Sequence, residues 1–393
     1  MRHQSVHLAA LFAGLTFSLQ CLTPTCELAA AAADPVVLAD QVTNTNAALV
    51  TASANRDASV LAPPVTTTVD SVRNFADRQK QPRVVLVLSG GGCKTAAQIG
   101  VIRSLEAHHV PIDSVIGTSM GSMIGALYCA GMPLDKIESL FIEKSLQKSL
   151  LSKVIINYLL RPVKPIAYLV AGKPYAGLSS GEGYLKFLRK NLPDKFSDLK
   201  TPFAAVVTNI TDGQTTVLAD GDLPQAVLAS SAVPTLIQPV LIKGKLYVDG
   251  GLRANLPTNI AQSLSSGLII SVLVDSAIKP EPNKKFKSKN NLVMRVADIV
   301  MAASDKQQAK STDILIYPDV DFCPGFTKDT AILKRTVLAG ERAADAILPK
   351  IDQALAGREQ DRASQVVEAV KVVPNTNANG SAADLTRSEE KKQ

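Results

Sequence analysis

Three short stretches hold residues whose types and spacing could do chemistry. Ser119 lies in Gly117-Thr118-Ser119-Met120-Gly121, the pattern G-x-S-x-G. Glycines on either side of a serine let the backbone close into a sharp strand-to-helix turn that exposes the hydroxyl. An apolar strand leads into this turn and a small-residue helix, Ser122 to Gly131, leads out of it. The start of that helix favours negative charge developing nearby. A serine nucleophile needs a base, and the usual base is histidine. The chain has four histidines, His3, His7, His108 and His109, and none follows Ser119. His108 and His109 close a helix whose start is about fourteen residues, roughly 20 Å, away. A Ser-His-Asp hydrolase in the α/β-hydrolase order is therefore excluded. The remaining candidate base is Asp249 in Tyr247-Val248-Asp249-Gly250-Gly251. It ends a strand, and Gly250 and Gly251 allow a sharp bend and a close approach. Taken alone, the segment reads better as a turn aspartate bonded to its own backbone, and only beside Ser119 and Gly90 to Gly92 does the base reading prevail.

The third stretch is Val84-Val85-Leu86-Val87-Leu88-Ser89-Gly90-Gly91-Gly92-Cys93-Lys94-Thr95. A phosphate loop, G-x-x-x-x-G-K-[ST], would end on Lys94-Thr95, but Leu88 and Cys93 stand where its glycines belong. The dinucleotide pattern G-x-G-x-x-G fits Gly90 and Gly92 and then meets Thr95. A nucleotide site is thus disfavoured. A plain strand-to-helix turn accounts for one or two of the glycines rather than three.

These stretches need a scaffold that brings residues 90, 119 and 249 together. Apolar runs expected as strands occur at Val84 to Leu88, Ser114 to Ile116, Phe203 to Thr208, Thr215 to Leu218, Leu246 to Val248, Leu268 to Val274 and Ile314 to Tyr317. Helical patterns fall at Lys94 to His108, Leu223 to Ser230, Pro257 to Ser265, Leu292 to Gln308 and Lys328 to Leu355. Near-continuous apolar strands separated by helices indicate an α/β fold with a mostly parallel sheet covered on both faces. In such folds ligands bind beyond the C-terminal ends of the strands, where all three stretches lie.

The glycine turn, the serine elbow and the Asp-Gly-Gly motif, in this order, resemble the patatin-like phospholipases, lipid acyl hydrolases with a Ser-Asp dyad. The resemblance runs from Val84 to about Pro257 and includes Ser230-Ser231-Ala232-Val233-Pro234 and Asn255-Leu256-Pro257. It implies a three-layer α/β/α fold, Ser119 as nucleophile, Asp249 as base and the amides of Gly90, Gly91 and Gly92 as the oxyanion hole. It implies no metal or cofactor, and a phospholipid or other acyl-ester lipid as substrate. Lys94 fits the family pattern, whereas Thr95 stands where that pattern has glycine. A protein of the same fold that binds lipid or a partner without turnover is the second reading. An ordinary aspartate is a weak base for serine, so the dyad depends on partial desolvation of Asp249.

Around this unit, residues 82–356, the sequence changes character. Arg2 and His3, the apolar run Leu8 to Leu19 and the alanines Ala29 to Ala33 read as a signal peptide over residues 1–33, hence an exported chain, periplasmic or secreted in a bacterium. Anchoring as a lipoprotein through Cys21 is disfavoured by Gln20, where a small residue is expected. Residues 34–81 read as a disordered linker and 357–393 as a disordered polar tail. The net charge of +7 includes a cluster at Lys279, Lys284, Lys285, Lys287 and Lys289, set among Pro and Asn, that reads as a solvated loop. No nucleic-acid motif or zinc spacing is present. The stretch Leu150 to Val170, apolar but broken by Lys153, Arg161, Pro162, Lys164 and Pro165, suits either a peripheral contact with lipid headgroups or a half-buried helix and loop. Oligomeric state is not legible.

Overall fold

The structure is a computed structural model that describes residues 69–78, 83–142, 146, 175–274 and 278–372. The expected signal peptide, Cys21, most of the 34–81 segment and the 150–170 stretch lie outside these residues.

Eight strands form one sheet: β1 (Val84–Leu88), β2 (Ser114–Thr118), β3 (Phe203–Asn209), β4 (Thr215–Leu218), β5 (Val240–Ile242), β6 (Lys245–Asp249), β7 (Leu268–Val272) and β8 (Ile314–Ile316). Their order is β5-β6-β3-β2-β1-β7-β8, with β4 also paired to β3. From β3 to β8 the strands are parallel, and β4, β5 and β6 add antiparallel pairs. Strands β1, β2, β3 and β7 are buried along their whole length, which is why their sequences are continuous apolar runs rather than alternating ones.

Among the described residues the helices are α1 (Val69–Arg78), α2 (Ala96–Ala107), α3 (Met120–Cys129), α4 (Leu134–Ile142), α5 (Glu182–Asn191), α6 (Leu223–Ser230), α7 (Gly251–Ala254), α8 (Thr258–Leu264), α9 (Lys289–Gln308), α10 (Thr330–Asp345) and α11 (Leu348–Val372). They cover both faces of the sheet and give the three-layer α/β/α architecture. Val84, Leu86 and Leu88 point into a core shared with α2, α3, α6 and α10. Val85 and Val87 point the other way, into a smaller core with Phe75 of α1, Ala254 of α7 and Ile260 of α8.

One feature of the register positions the site. On one side β3 pairs with β4 through Ala205 to Thr208, so β2 and β6 must share its other side. There β2 pairs up to Thr118↔Val206, and β6, running the opposite way, begins pairing at Asp249↔Val207. The two strands thus meet end to end along β3. The residue that follows Thr118 faces the last residue of β6.

Three expectations from the sequence are corrected. The segment 34–81 is not linker to its end, because α1 docks on the domain: Phe75 is 2% exposed, and Arg78 donates from Nη1 to Phe196 O (2.6 Å) and from Nη2 to Leu199 O (2.9 Å). Only Val69, Val72 and Phe75 carry apolar spacing in a run of charged residues, too short a period to stand out. The tail does not begin at 357, since α11 continues to Val372, with Arg358 donating to Ser266 O and to Asp313 Oδ2. The single helix expected over 328–355 is two helices. Pro349 lies in the first turn of the second, the one part of a helix where a missing N–H costs little.

Phe75→Ala is expected to lower the unfolding free energy by about 3 kcal/mol or more, as for a deeply buried aromatic. Urea denaturation of the full chain measures this, and an unchanged midpoint would mean that α1 contributes nothing to the folded unit.

Candidate active site

Ser119 occupies the tip of the β2-to-α3 turn with φ 55° and ψ −129°. A non-glycine residue is rarely found there and is held only when its surroundings over-determine it. Two hydroxyls do so. Ser230 Oγ accepts from Ser119 N (2.9 Å) and donates to Val206 O (2.7 Å), while Ser122 Oγ donates to Ser119 O (2.6 Å). The turn also presses against the glycine stretch. A Cβ at Gly121 would lie 2.4 Å from Ser89 O, a backbone atom that cannot yield. Gly117 is closed in the same way by the backbone of Ser122.

From the opposing strand end, Asp249 reaches the serine: Ser119 Oγ donates to Asp249 Oδ2 at 2.6 Å. The other oxygen, Oδ1, accepts from Gly251 N (2.8 Å), and the Asp249 amide donates to Ala232 O (3.0 Å). Gly250 lies so close to β3 that a Cβ there would meet Val206 O at 2.3 Å, so this glycine lets β6 end flush against its template. Asp249 is 5% exposed and Ser119 8%. Burial pushes the Asp249 carboxyl up to about 6, while the bonds from Ser119 and Gly251 pull the other way. The desolvation that the dyad requires is therefore present.

The three glycines of the turn divide. The Gly90 amide donates to Asn255 O (3.2 Å) and is not free for an oxyanion, which corrects the expectation that all three amides serve. The amides of Gly91 and Gly92 take no partner among the described residues, and both glycines line the cavity that contains Ser119. Gly91 has φ 147°, in the region that only glycine adopts readily.

That cavity measures about 860 Å³. Ser119 and Asp249 line it beside apolar side chains such as Met120, Phe141, Val233, Ile237 and Leu252, and charged residues including Lys94, Arg295 and Asp298 line it as well. A hydrogen-bonded serine and a desolvated carboxylate beside two free amides can attack a carbonyl and hold the resulting oxyanion.

The sequence that holds the site is similar to known proteins. The profile described as patatin-like phospholipase matches residues 86–261, a span that holds the glycine turn, Ser119 and Asp249. Over this span the chain is similar to the patatin-like phospholipases. It is 34% identical over 196 residues to patatin-like phospholipase domain-containing protein 6 of Mus musculus, a match covering 49% of this chain and 14% of that protein. It is 30% identical over 218 residues to an uncharacterized NTE family protein of Mycobacterium tuberculosis, covering 54% of this chain and 56% of that one. The match thus spans about half, or less, of these relatives. Among solved structures, VipD from Legionella pneumophila is similar at 20% identity, with a TM-score of 0.41, over 68% of this chain and 67% of that one.

Within the patatin-like domain, Thr95 proves compatible with the turn. Its φ of −63° and ψ of −13° are ordinary helical torsions, so glycine is not required, and its hydroxyl donates to Gly92 O at 2.6 Å. Thr95 therefore does not by itself distort the glycine turn. Residues that the motifs did not reveal complete the support. Asp305 of α9, 3% exposed, accepts from Asn255 Nδ2 (2.7 Å) and Leu256 N (2.9 Å). Asn255 in turn lies against Gly90, where a Cβ would be 2.4 Å from its Oδ1. Asp305 is fifty positions from its partners and carries no local signal.

The folded state holds the Asp249 proton more tightly than the unfolded chain, so this group's contribution to stability is fully present below about pH 3.8 and is lost as pH rises through about 6. Asp249→Asn, with no charge to desolvate, is expected to be more stable than the wild type by up to about 3 kcal/mol near neutral pH, the gap closing as pH falls towards 4. Urea denaturation across pH measures it. A gap that does not depend on pH would contradict the desolvation of Asp249.

Proposed function

We propose that this protein is a serine carboxylic ester hydrolase acting on acyl-ester lipids, of phospholipase A or lysophospholipase type. The observation that carries the reading is the 2.6 Å hydrogen bond from Ser119 Oγ to a buried Asp249 in a mostly apolar cavity. The similarity of residues 86–261 to the patatin-like phospholipases supports a lipid substrate. As the hydroxyl attacks the ester carbonyl, its proton passes to Asp249. The amides of Gly91 and Gly92 then hold the tetrahedral oxyanion, a contribution on the order of 10² to 10³ in rate for each donor. Collapse expels the alcohol, which takes the proton back from Asp249, and leaves an acyl group on Ser119. Water, deprotonated by Asp249, releases the fatty acid. The raised pKa of Asp249 suits this role, since a base works best when its pKa lies near the working pH. The setting proposed for the enzyme is an exported chain, cleaved after the alanine tract, that meets lipid at a membrane surface.

Ser119→Ala is expected to abolish hydrolysis of a p-nitrophenyl acyl ester and labelling by a fluorophosphonate, with the fold unchanged by circular dichroism. Asp249→Asn should cost about 10² to 10⁴ in kcat. Undiminished turnover by either variant would refute the assignment.

The acid limb of the rate profile should lie near pH 6, where Asp249 becomes protonated and can no longer accept the serine proton. Histidine titrates in the same range, about 6.5, so the limb alone does not identify the base. The variant His108→Gln/His109→Gln separates the two: it should keep both the limb and kcat within a few-fold of the wild type. Loss of either would place the base elsewhere.

A further inference from the structure

Helix α9 has its polarity reversed relative to an ordinary surface helix. Its protein-facing side carries Asp305, bonded to Asn255, and Gln308, which accepts from Asn259 N. Its outward side carries Leu292, Val293, Val296, Ile299 and Val300, each between 40% and 54% exposed. The spacing 292-296-299 and 293-296-300 sets them in one stripe along the helix. The stripe runs into the catalytic cavity, because Val293, Val296 and Val300 also line it. Half of the large apolar side chains exposed among the described residues line this one cavity, Phe326 and Ile278 among them. Scattered exposed apolar residues are normal, but a contiguous group around a single opening marks a contact surface.

Charge identifies the partner. The 3-10 turn Asn283–Lys287 leads into α9 and carries Lys284, Lys285 and Lys287, all exposed. Lys285 pairs with Glu281, and Lys279 nearby pairs with Asp321, whereas Lys284 and Lys287 form no ion pair with a described residue. By themselves these lysines are a solvated loop. Beside an apolar stripe they make the pairing of aliphatic face and basic flank that lies in the interface of an anionic bilayer. No helix among the described residues is long and apolar enough to cross a membrane.

We propose that the outward face of α9 and the lysines preceding it form a docking surface for an anionic phospholipid bilayer, seated so that the cavity mouth opens onto the lipid. This inference rests on the lipid-hydrolase reading. Docking would let an acyl chain pass along Val293, Val296 and Val300 to Ser119 without crossing water.

The test uses the full chain and sedimentation with vesicles of phosphatidylcholine, with or without phosphatidylglycerol. Binding should require phosphatidylglycerol. Leu292→Asp/Ile299→Asp changes two exposed residues outside the cavity lining. It should weaken binding at least about tenfold while turnover of a soluble short-chain ester stays unchanged. Lys284→Gln/Lys287→Gln should weaken it by about fivefold per lysine, the equivalent of about 1 kcal/mol each. Ser119→Ala should bind as the wild type does, which separates docking from chemistry. Soluble-ester turnover without vesicle binding would overturn the docking surface and leave the hydrolase reading standing. Vesicle binding without ester turnover would do the reverse. If light scattering gave a dimer that Leu292→Asp/Ile299→Asp splits, and vesicles did not bind, the face would be a subunit interface and the proposal would fall.

Discussion

A carboxylate removed from water is the constraint around which this site is arranged. Left in solvent, Asp249 would be a weak base; buried at the end of β6, its proton affinity rises, as the proposed role of base for Ser119 requires. That burial is tolerated because both oxygens are bonded, one to Ser119 and the other to the amide of Gly251. Removing either donor would leave a charge facing apolar side chains. The strained torsion of Ser119 is the second cost, offset by the hydroxyls of Ser230 and Ser122 on its two backbone groups. The protein thus spends stability in two places within a few ångströms, where function-bearing strain is expected to concentrate.

The support extends outward in a chain. The Gly90 amide is held by Asn255 O, the Asn255 side chain by Asp305, and Asp305 sits on the same helix that presents the apolar stripe. A glycine turn with three flexible residues is in this way fixed at one end, and among the described residues the amides of Gly91 and Gly92 are left without a partner. Gln98 adds a further tie through its Nε2 bond to Ser89 O (2.7 Å).

Much of this was legible in the sequence because strands buried on both faces leave unbroken apolar runs. Val84–Leu88, Phe203–Asn209 and Leu268–Val272 are such strands, and the serine and aspartate motifs follow directly from strand ends. What escaped lacks local periodicity. Strand β5 has only three residues, one of them exposed. Among the described side chains, α1 joins the core through Phe75 and α11 buries only Leu348 and Ile351. The fate of the Gly90 amide depends on Asn255, 165 positions later, and no pattern in the glycine stretch distinguishes it from its neighbours.

The end-to-end meeting of β2 and β6 along β3 also governs when the site comes into being. Ser119 and Asp249 are separated by 130 positions, and one step of β3, Val206 to Val207, spans the gap between their strands. During synthesis the serine emerges first, before either β3 or β6 has been made. No rearrangement of the earlier strands can supply its base. A slip of β6 by a single residue would present Val248 or Gly250 instead. The Ser119–Asp249 hydrogen bond therefore depends on the seating of β6, and on the proposed mechanism a chain without that strand in place carries a serine with no base.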